Sequence, residues 1–251
     1  MKIISAINNK TIKIKTQVKR RISIILLSVI MIFMLTGAFF QRHSLACELL
    51  PFMGYEELNR NVFLASDVSS DRIDELTEMI DLAVKRLTET YGVPIATPRI
   101  VITSDVAVAA KWGSNETGAM HRMPWCSCIV LGPEGQNVDV IAHEMLHAEL
   151  QRRVGLLKIL NEVPVWFDEG AALTLDNREP FLPENIELSD EKILNVMTFD
   201  THKAFFSGKI RENYQSARMA VIPLIRKESF YEDLDRIKSG KSFHAVFYKN
   251  K

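Results

Sequence analysis

One stretch of eleven residues, Val140–Leu150 with the sequence VIAHEMLHAEL, constrains the fold more than any other part of the chain. Its apolar residues recur at spacings of three and four, which predicts a helix. On a helix, residues four apart lie one above the other, so the imidazoles of His143 and His147 project from the same face. The stretch therefore predicts half of a metal site, of the kind that binds zinc.

The residues around these histidines indicate what the site would do. Glu144 directly follows the first histidine, where its carboxylate can take a proton from a water molecule without binding the metal itself. A catalytic zinc ion needs three protein ligands and an open position, so a third ligand is required. Glu169 is the best candidate, because it lies in the second turn of a helix that Pro164 is well placed to begin. Asp168 is the competing ligand, and we expect it to be an ordinary acid on the helix surface.

These two helices resemble those of the gluzincin metallopeptidases, especially the small single-domain proteins grouped as peptidase MA. In that family His-Glu-x-x-His is followed on the next helix by Trp-x-x-Glu-Gly-x-Ala, which this chain matches over residues 166–172. The resemblance covers residues 140–176 and implies a zincin-like peptidase with Glu144 as general base. The ligands it implies for one Zn²⁺ per chain are His143, His147 and Glu169. Twenty-one residues separate the second histidine from this glutamate, somewhat more than in the best-known members.

Other families of zinc enzymes fit the sequence less well. A metzincin would need glycine and histidine where this chain has Leu150 and Arg153. A peptide deformylase uses an upstream cysteine as a ligand, and Cys126 and Cys128 leave that alternative open. The glutamine and glycine motifs of that family are not visible.

The chain around the two helices predicts an α+β fold. A helix, a small mixed sheet and then the metal helix is the order expected of a gluzincin N-terminal lobe, and a helical C-terminal lobe should follow. Asn137 is a suitable N-cap for the metal helix. The predicted elements before it are an amphipathic helix over residues 67–91, strands over 99–103 and 128–131, and a short helix over 105–112.

The resemblance also implies roles for two further segments. In the family, the strand before the metal helix is a sheet edge that pairs with an extended peptide substrate, which would be residues 126–131 here. An inner strand without a substrate role is the alternative. Residues 214–226 predict a mostly buried helix that Pro223 kinks or ends. Tyr214 on that helix would stabilise the oxyanion, with a structural tyrosine of satisfied hydroxyl as the alternative.

The first 46 residues differ in composition from the rest of the chain. They contain eight Lys and Arg residues and no acid, and residues 22–40 carry no charge. A run of that length suits a transmembrane anchor, and the basic residues before it should stay in the cytoplasm. We therefore predict an anchor or signal segment over residues 1–46 and an extracytoplasmic peptidase domain over 47–251. Signal cleavage near Ala46, giving a secreted or periplasmic protein, is the alternative.

The body after residue 46 is acidic. Without the eight basic residues of the N-terminal part, 23 Lys and Arg residues remain against 31 Asp and Glu residues. Because nucleic-acid binding needs a basic face, we exclude nucleic acid as a partner. In an oxidising compartment Cys47 can pair with Cys126 or Cys128, a bond between the last two would be strained, and unpaired thiols are the alternative.

The predicted function is hydrolysis of peptide bonds in a peptide or protein substrate, with zinc as the cofactor and Glu144 as the base. Two alternatives come from other classes of function. One is a catalytically silent binding or assembly module of the envelope, which the intact Glu144 argues against. The other is a latent protease that cuts a single partner.

Overall fold

The structure is a computed structural model that describes residues 19, 21–37, 42–59 and 61–248. The chain divides into two compact units, residues 1–45 and 46–251. In the first unit, residues 21–37 form helix α1, whose large apolar side chains are exposed. Among the described residues, no helix combines the length and apolar character needed to cross a bilayer. The predicted anchor over 22–40 includes residues 38–40, which lie outside the described residues.

Five strands form one mixed sheet in the described part of the second unit, in the order β1-β2-β3-β5-β4. They are β1 (Glu56–Asn59), β2 (Val62–Leu64), β3 (Arg99–Ile102), β4 (Gly118–Arg122) and β5 (Ser127–Leu131). Strands β2, β3 and β5 are parallel, whereas β1 and β4 run antiparallel to their neighbours. The predicted small mixed sheet is confirmed, although the sequence predicts only β3 and β5.

The strand expected to pair with substrate lies inside the sheet. Strand β5 covers most of the predicted segment 126–131 and is flanked by β3 on one side and β4 on the other. Its backbone is therefore already paired, and the free edge on that side belongs to β4. The structure thus confirms the alternative of an inner strand. The sequence does not predict β4 because its residues GAMHR are half-buried throughout and lack the apolar alternation that marks a strand.

Helices cover the sheet and make up the C-terminal part of the chain. Those before the metal helix are α2 (Arg42–Glu48), α3 (Ile73–Tyr91) and α4 (Val106–Lys111). The metal helix and those after it are α5 (Val138–Val154), α6 (Leu156–Asn161), α7 (Val165–Leu173), α8 (Asp190–Val196), α9 (His202–Phe205), α10 (Ile210–Val221), α11 (Phe230–Lys238) and α12 (Phe243–Phe247). Asn137 caps α5 as predicted, accepting a hydrogen bond from the Val140 N–H at 3.0 Å. The architecture is α+β, with the sheet in the N-terminal part and helices after it.

Side chains of the sheet divide between two hydrophobic cores, because successive residues of a strand point to opposite faces. The main core includes buried residues of α3, α5 and α7 together with Ile100, Ile102, Ile129 and Leu131 of the sheet. The smaller core contains Cys47, Leu50, Phe63, Val101, Trp112, Cys128 and Val130. The metal helix therefore belongs to the main core, and the chain that leads into the sheet belongs to the smaller one.

The smaller core is crosslinked by a disulfide between Cys47 and Cys128, which are 81 positions apart in the sequence. Cys126 is the free cysteine of the three, and its thiol donates a hydrogen bond to Glu48 Oε1 at 2.7 Å. Burial, together with the Glu48 carboxylate, raises the pKa of Cys126 to about 12. Because disulfides persist in oxidising compartments, the crosslink indicates an extracytoplasmic domain. It also removes Cys128 as the metal ligand that a deformylase-like site would need.

Candidate metal centre

The two histidines of α5 lie next to each other on its buried face. The Nε2 atoms of His143 and His147 are 3.1 Å apart, and the ring centroids are 4.8 Å apart with the rings nearly perpendicular. Each residue is less than a tenth exposed. The helical spacing of four residues therefore brings the two imidazole nitrogens to one point, as the sequence predicts.

Glu169 reaches the same point from α7. Its Oε2 atom lies 3.6 Å from His143 Nε2 and 3.5 Å from His147 Nε2. Helix α6 occupies much of the chain between the two helices, and α7 starts at Val165 directly after Pro164. The long spacing between His147 and Glu169 is thus filled by an extra helix, and the third predicted ligand meets the other two.

The spacing of the three donor atoms fits one small metal ion. A tetrahedral ion with bonds of about 2.0–2.2 Å holds its ligand atoms roughly 3.3–3.6 Å apart. The donor atoms of His143, His147 and Glu169 are separated by 3.1, 3.5 and 3.6 Å. They form the metal-type cluster found among the described residues, and it can hold a single ion.

The electrostatics of the triad also suit a cation. Burial by itself would raise the pKa of Glu169, but the imidazoles of His147 and His143 hold it well below its usual range. Burial opposes charge on His147, yet Asp168 and Glu169 together raise its pKa well above the ordinary value. The carboxylates of Asp168 and Glu169 therefore stabilise positive charge at this point, whether it is a proton on His147 or a metal ion between the donor atoms.

Glu144 lies beside the triad on the same helix turn. It is buried, and this burial raises the pKa of Glu144 above its ordinary value, although the imidazoles of His143 and His147 oppose the shift. Gly118 of β4 faces it closely, since a Cβ at Gly118 would lie 3.3 Å from Glu144 Oε1. Because Gly118 has no side chain, the start of β4 leaves room for the Glu144 carboxylate in the cleft.

The triad and Glu144 open onto a cleft of about 460 Å³. Tyr214 of α10 lines it, with its ring centroid 6.5 Å from that of His143. Burial, followed by the charges of Glu169 and Glu144, raises the pKa of Tyr214, so its hydroxyl stays protonated. The remaining walls come from Gly113, Ser114, Asn115, Gly118, Ala119, Met120, Arg122, His202 and Phe206.

Asp168 is not the surface acid that we expected. It is buried, and its Oδ1 atom lies 2.8 Å from His147 Nδ1 while its Oδ2 atom accepts a hydrogen bond from Arg122 Nη2 at 2.5 Å. Burial would raise the pKa of Asp168, but Arg122 and His147 hold it below its usual range. The expectation failed because α7 is buried all round, so consecutive acids on it both point into the protein.

Two other residues of the cleft carry no signal in the sequence. Arg122 ends β4, a strand that the sequence does not predict, and His202 begins α9. His202 is exposed but lines the cleft, with its ring stacked on Phe206. His121, by contrast, lies 2.7 Å through Nε2 from the Trp112 carbonyl oxygen and is not among the cleft-lining residues.

The sequence matches no protein-family model and no curated protein. The likeness to a zincin active site therefore depends on the site itself. Its components are two adjacent imidazoles with nearly perpendicular rings, a carboxylate from α7 at tetrahedral spacing, and a buried glutamate beside them. The arrangement can hold a divalent ion at the floor of an open cleft.

Proposed function

We propose that the protein is a zinc-dependent peptidase that hydrolyses peptide bonds outside the cytoplasm. One observation supports this most directly: His143, His147 and Glu169 place their donor atoms 3.1–3.6 Å apart on the cleft floor. Three protein ligands with one side open to a cleft are typical of catalytic rather than structural zinc sites. When bound there, zinc would act as a Lewis acid that polarises the scissile carbonyl and activates water.

Glu144 is the proposed general base. Its burial raises the pKa of its carboxyl, which brings its proton affinity closer to that required for proton transfer near neutral pH. In its ionised form it takes a proton from the attacking water and then donates that proton to the nitrogen of the leaving amine. The same carboxylate therefore serves both halves of the reaction, and it does so without being a ligand.

Tyr214 is the proposed donor to the oxyanion. Its hydroxyl group remains protonated because burial and the nearby carboxylates of Glu169 and Glu144 disfavour a phenolate. A neutral hydroxyl in a partly dehydrated cleft can donate a hydrogen bond to the carbonyl oxygen as negative charge develops on it. Phe181, Phe205 and Phe206 pack around its ring and restrict its orientation.

The edge strand β4 is the proposed binding site for the substrate backbone. Its residues Gly118, Ala119 and Met120 line the cleft directly beside Glu144, and its outer edge has no neighbouring strand in the sheet. An extended peptide can add to such an edge through main-chain hydrogen bonds. We therefore assign to β4 the role that the family resemblance implies for residues 126–131.

Two features of the chain support the proposed location, a disulfide in the body and the composition of the N-terminal segment. The disulfide between Cys47 and Cys128 supports a domain in an oxidising compartment. The charge-free run over residues 22–40 with its basic flank supports a single-pass anchor whose N-terminus stays in the cytoplasm. The membrane would then be a partner of the chain through its N-terminal segment alone.

The test begins with metal analysis and peptide hydrolysis by the purified full chain. We expect about one zinc per chain, hydrolysis of some members of a diverse peptide library, loss of activity with a chelator and recovery with zinc. Glu144→Gln should keep the zinc while hydrolysis falls by about 10²–10⁴-fold, the usual contribution of a general base. Glu191→Gln, an exposed glutamate on α8, is the matched control.

The outcomes separate the rival interpretations. Retained hydrolysis in Glu144→Gln would remove this residue from the mechanism, and an unchanged zinc content in Glu169→Ala would remove the third ligand. A chain that binds one zinc but cleaves no peptide in the library would favour the catalytically silent binding module. A chain that binds no zinc would refute the proposal.

A further inference from the structure

Two consecutive acids on α7 approach the same histidine from opposite sides. The Oε2 atom of Glu169 is 3.5 Å from His147 Nε2, and the Oδ1 atom of Asp168 is 2.8 Å from His147 Nδ1. Each ring nitrogen of His147 thus faces a carboxylate. Rotating the ring would break both contacts, so together they fix its orientation. One helix therefore supplies both a candidate ligand and the contact that orients another ligand.

Asp168 is in turn held by Arg122, and the side chains of both are largely buried. The two oxygens of Asp168 are divided between His147 and the Arg122 guanidinium, whose Nη2 lies 2.5 Å from Oδ2. An aspartate with both oxygens occupied cannot turn toward the ion as a competing ligand. Because Arg122 ends β4, this ion pair also links the edge strand of the sheet to the helix that carries Glu169.

We propose that Asp168 and Arg122 are positioning residues for His147, an inference that rests on the proposed zinc site. Asp168 accepts a hydrogen bond from the Nδ1–H of His147, which fixes the tautomer whose Nε2 lone pair faces the other two donors. The negative charge of Asp168 makes that nitrogen a stronger ligand. Arg122 holds the Asp168 carboxylate in place through this ion pair, so it acts on the metal centre through Asp168.

The test measures the zinc dissociation constant of the full chain by competition with a chromophoric chelator. Asp168→Asn replaces a charged acceptor with an amide that can also donate, and we expect zinc binding to weaken about 10–100-fold. Arg122→Gln should weaken it less, and the double variant should bind zinc no more weakly than Asp168→Asn alone. An Arg122→Gln effect that persists undiminished in the Asp168→Asn background would show that Arg122 does not act through Asp168.

Asp233→Asn is the matched control, because Asp233 is also buried and paired with arginine, to Arg236 Nη1 at 2.8 Å, and does not line the cleft. It should leave the zinc dissociation constant unchanged whatever it does to the melting temperature. If the variant at position 168 does not fold, the tautomer can be read in the zinc-loaded native chain. Long-range ¹H–¹⁵N correlations should place the proton of His147 on Nδ1, and a proton on Nε2 would overturn the inference.

These outcomes distinguish the inference from the function on which it rests. A native chain that binds no zinc refutes the proposed site itself. A native chain that binds zinc, with Asp168→Asn binding equally tightly, refutes only the positioning role.

Discussion

At the scale of single residues, the site is defined by where each buried carboxylate points. Glu169 faces two imidazoles, and its pKa is lowered because burial is outweighed by those neighbours. Glu144 is equally buried, and the same imidazoles lower its pKa by less than burial raises it. The net result is a pKa above the ordinary value. Two glutamates within one site are therefore suited to different tasks, one as a permanent anion for a metal and the other as a base that exchanges protons.

The role of Tyr214 leads to a prediction at this scale. Tyr214→Phe removes the hydroxyl but keeps the ring that packs against Phe205 at 5.3 Å between centroids. If the hydroxyl stabilises the oxyanion, kcat should fall by about 10²–10³-fold while KM and zinc content change little. Steady-state kinetics and metal analysis of the purified variant provide the measurement.

Tyr248→Phe is the control for this substitution, since Tyr248 stacks on His244 and does not line the cleft. A Tyr214→Phe enzyme with native kcat would make Tyr214 the structural tyrosine that the sequence also allows.

The residues that sequence reasoning found and missed differ in a physical way. His143, Glu144 and His147 lie on one helix, so their geometry follows from local spacing alone. Glu169 could be predicted because residues 166–172 match the pattern of the second helix in the gluzincin family. Asp168 was misjudged because its environment depends on tertiary packing of α7, which no local pattern reports.

At the scale of elements, the site depends on how closely α7 and α10 approach. A Cβ at Gly170 would lie 2.4 Å from the Ala217 carbonyl oxygen, a backbone atom of α10. The glycine after the proposed ligand Glu169 thus permits a helix contact that any side chain would prevent. This contact also fixes the spacing between α7, which carries Glu169, and α10, which carries Tyr214.

Gly170→Ala tests this contact. Because the neighbouring atom is backbone, the helices must separate, and we expect a loss of about 1–3 kcal/mol in the free energy of unfolding. The melting temperature should fall, and zinc should bind more weakly because Glu169 moves with α7. Gly37→Ala is the matched control, since it places a Cβ in a helix with no atom within 4 Å. An unchanged melting temperature in Gly170→Ala would contradict the close packing described here.

The elements that the sequence predicts are those with strong internal periodicity. Helices α3 and α5 and strands β3 and β5 follow apolar runs in the sequence. Asn137 caps α5 as predicted, whereas α3 begins at Ile73, later than the predicted start at residue 67, and its N-cap Arg72 makes no side-chain cap hydrogen bond. Strand β4 is half-buried throughout, and four of its five residues line the cleft. A strand that borders an open cleft has no fully buried face, so its sequence lacks the apolar alternation by which strands are predicted. The same open cleft gives a peptide access to its edge.

At the scale of the whole molecule, the sheet separates the metal centre from the crosslink. The main core on one face contains residues of α5 and α7, while the disulfide between Cys47 and Cys128 lies in the smaller core on the other face. Stability and metal binding should therefore respond differently to loss of the crosslink. The disulfide closes a loop of 81 positions, whose loop entropy corresponds to about 4–5 kcal/mol in the free energy of unfolding.

Replacing both bonded cysteines with alanine (C47A, C128A) tests this separation of roles. We expect the free energy of unfolding, measured by urea titration with zinc present, to fall by roughly 4–5 kcal/mol. Zinc stoichiometry in the absence of urea should stay at about one per chain, because the proposed ligands lie on α5 and α7, whose buried apolar residues belong to the main core. Cys126→Ala, which removes the free thiol, is the control and should change the free energy of unfolding far less. A crosslink-free chain that remains folded but loses its zinc would mean that the two faces of the sheet are coupled.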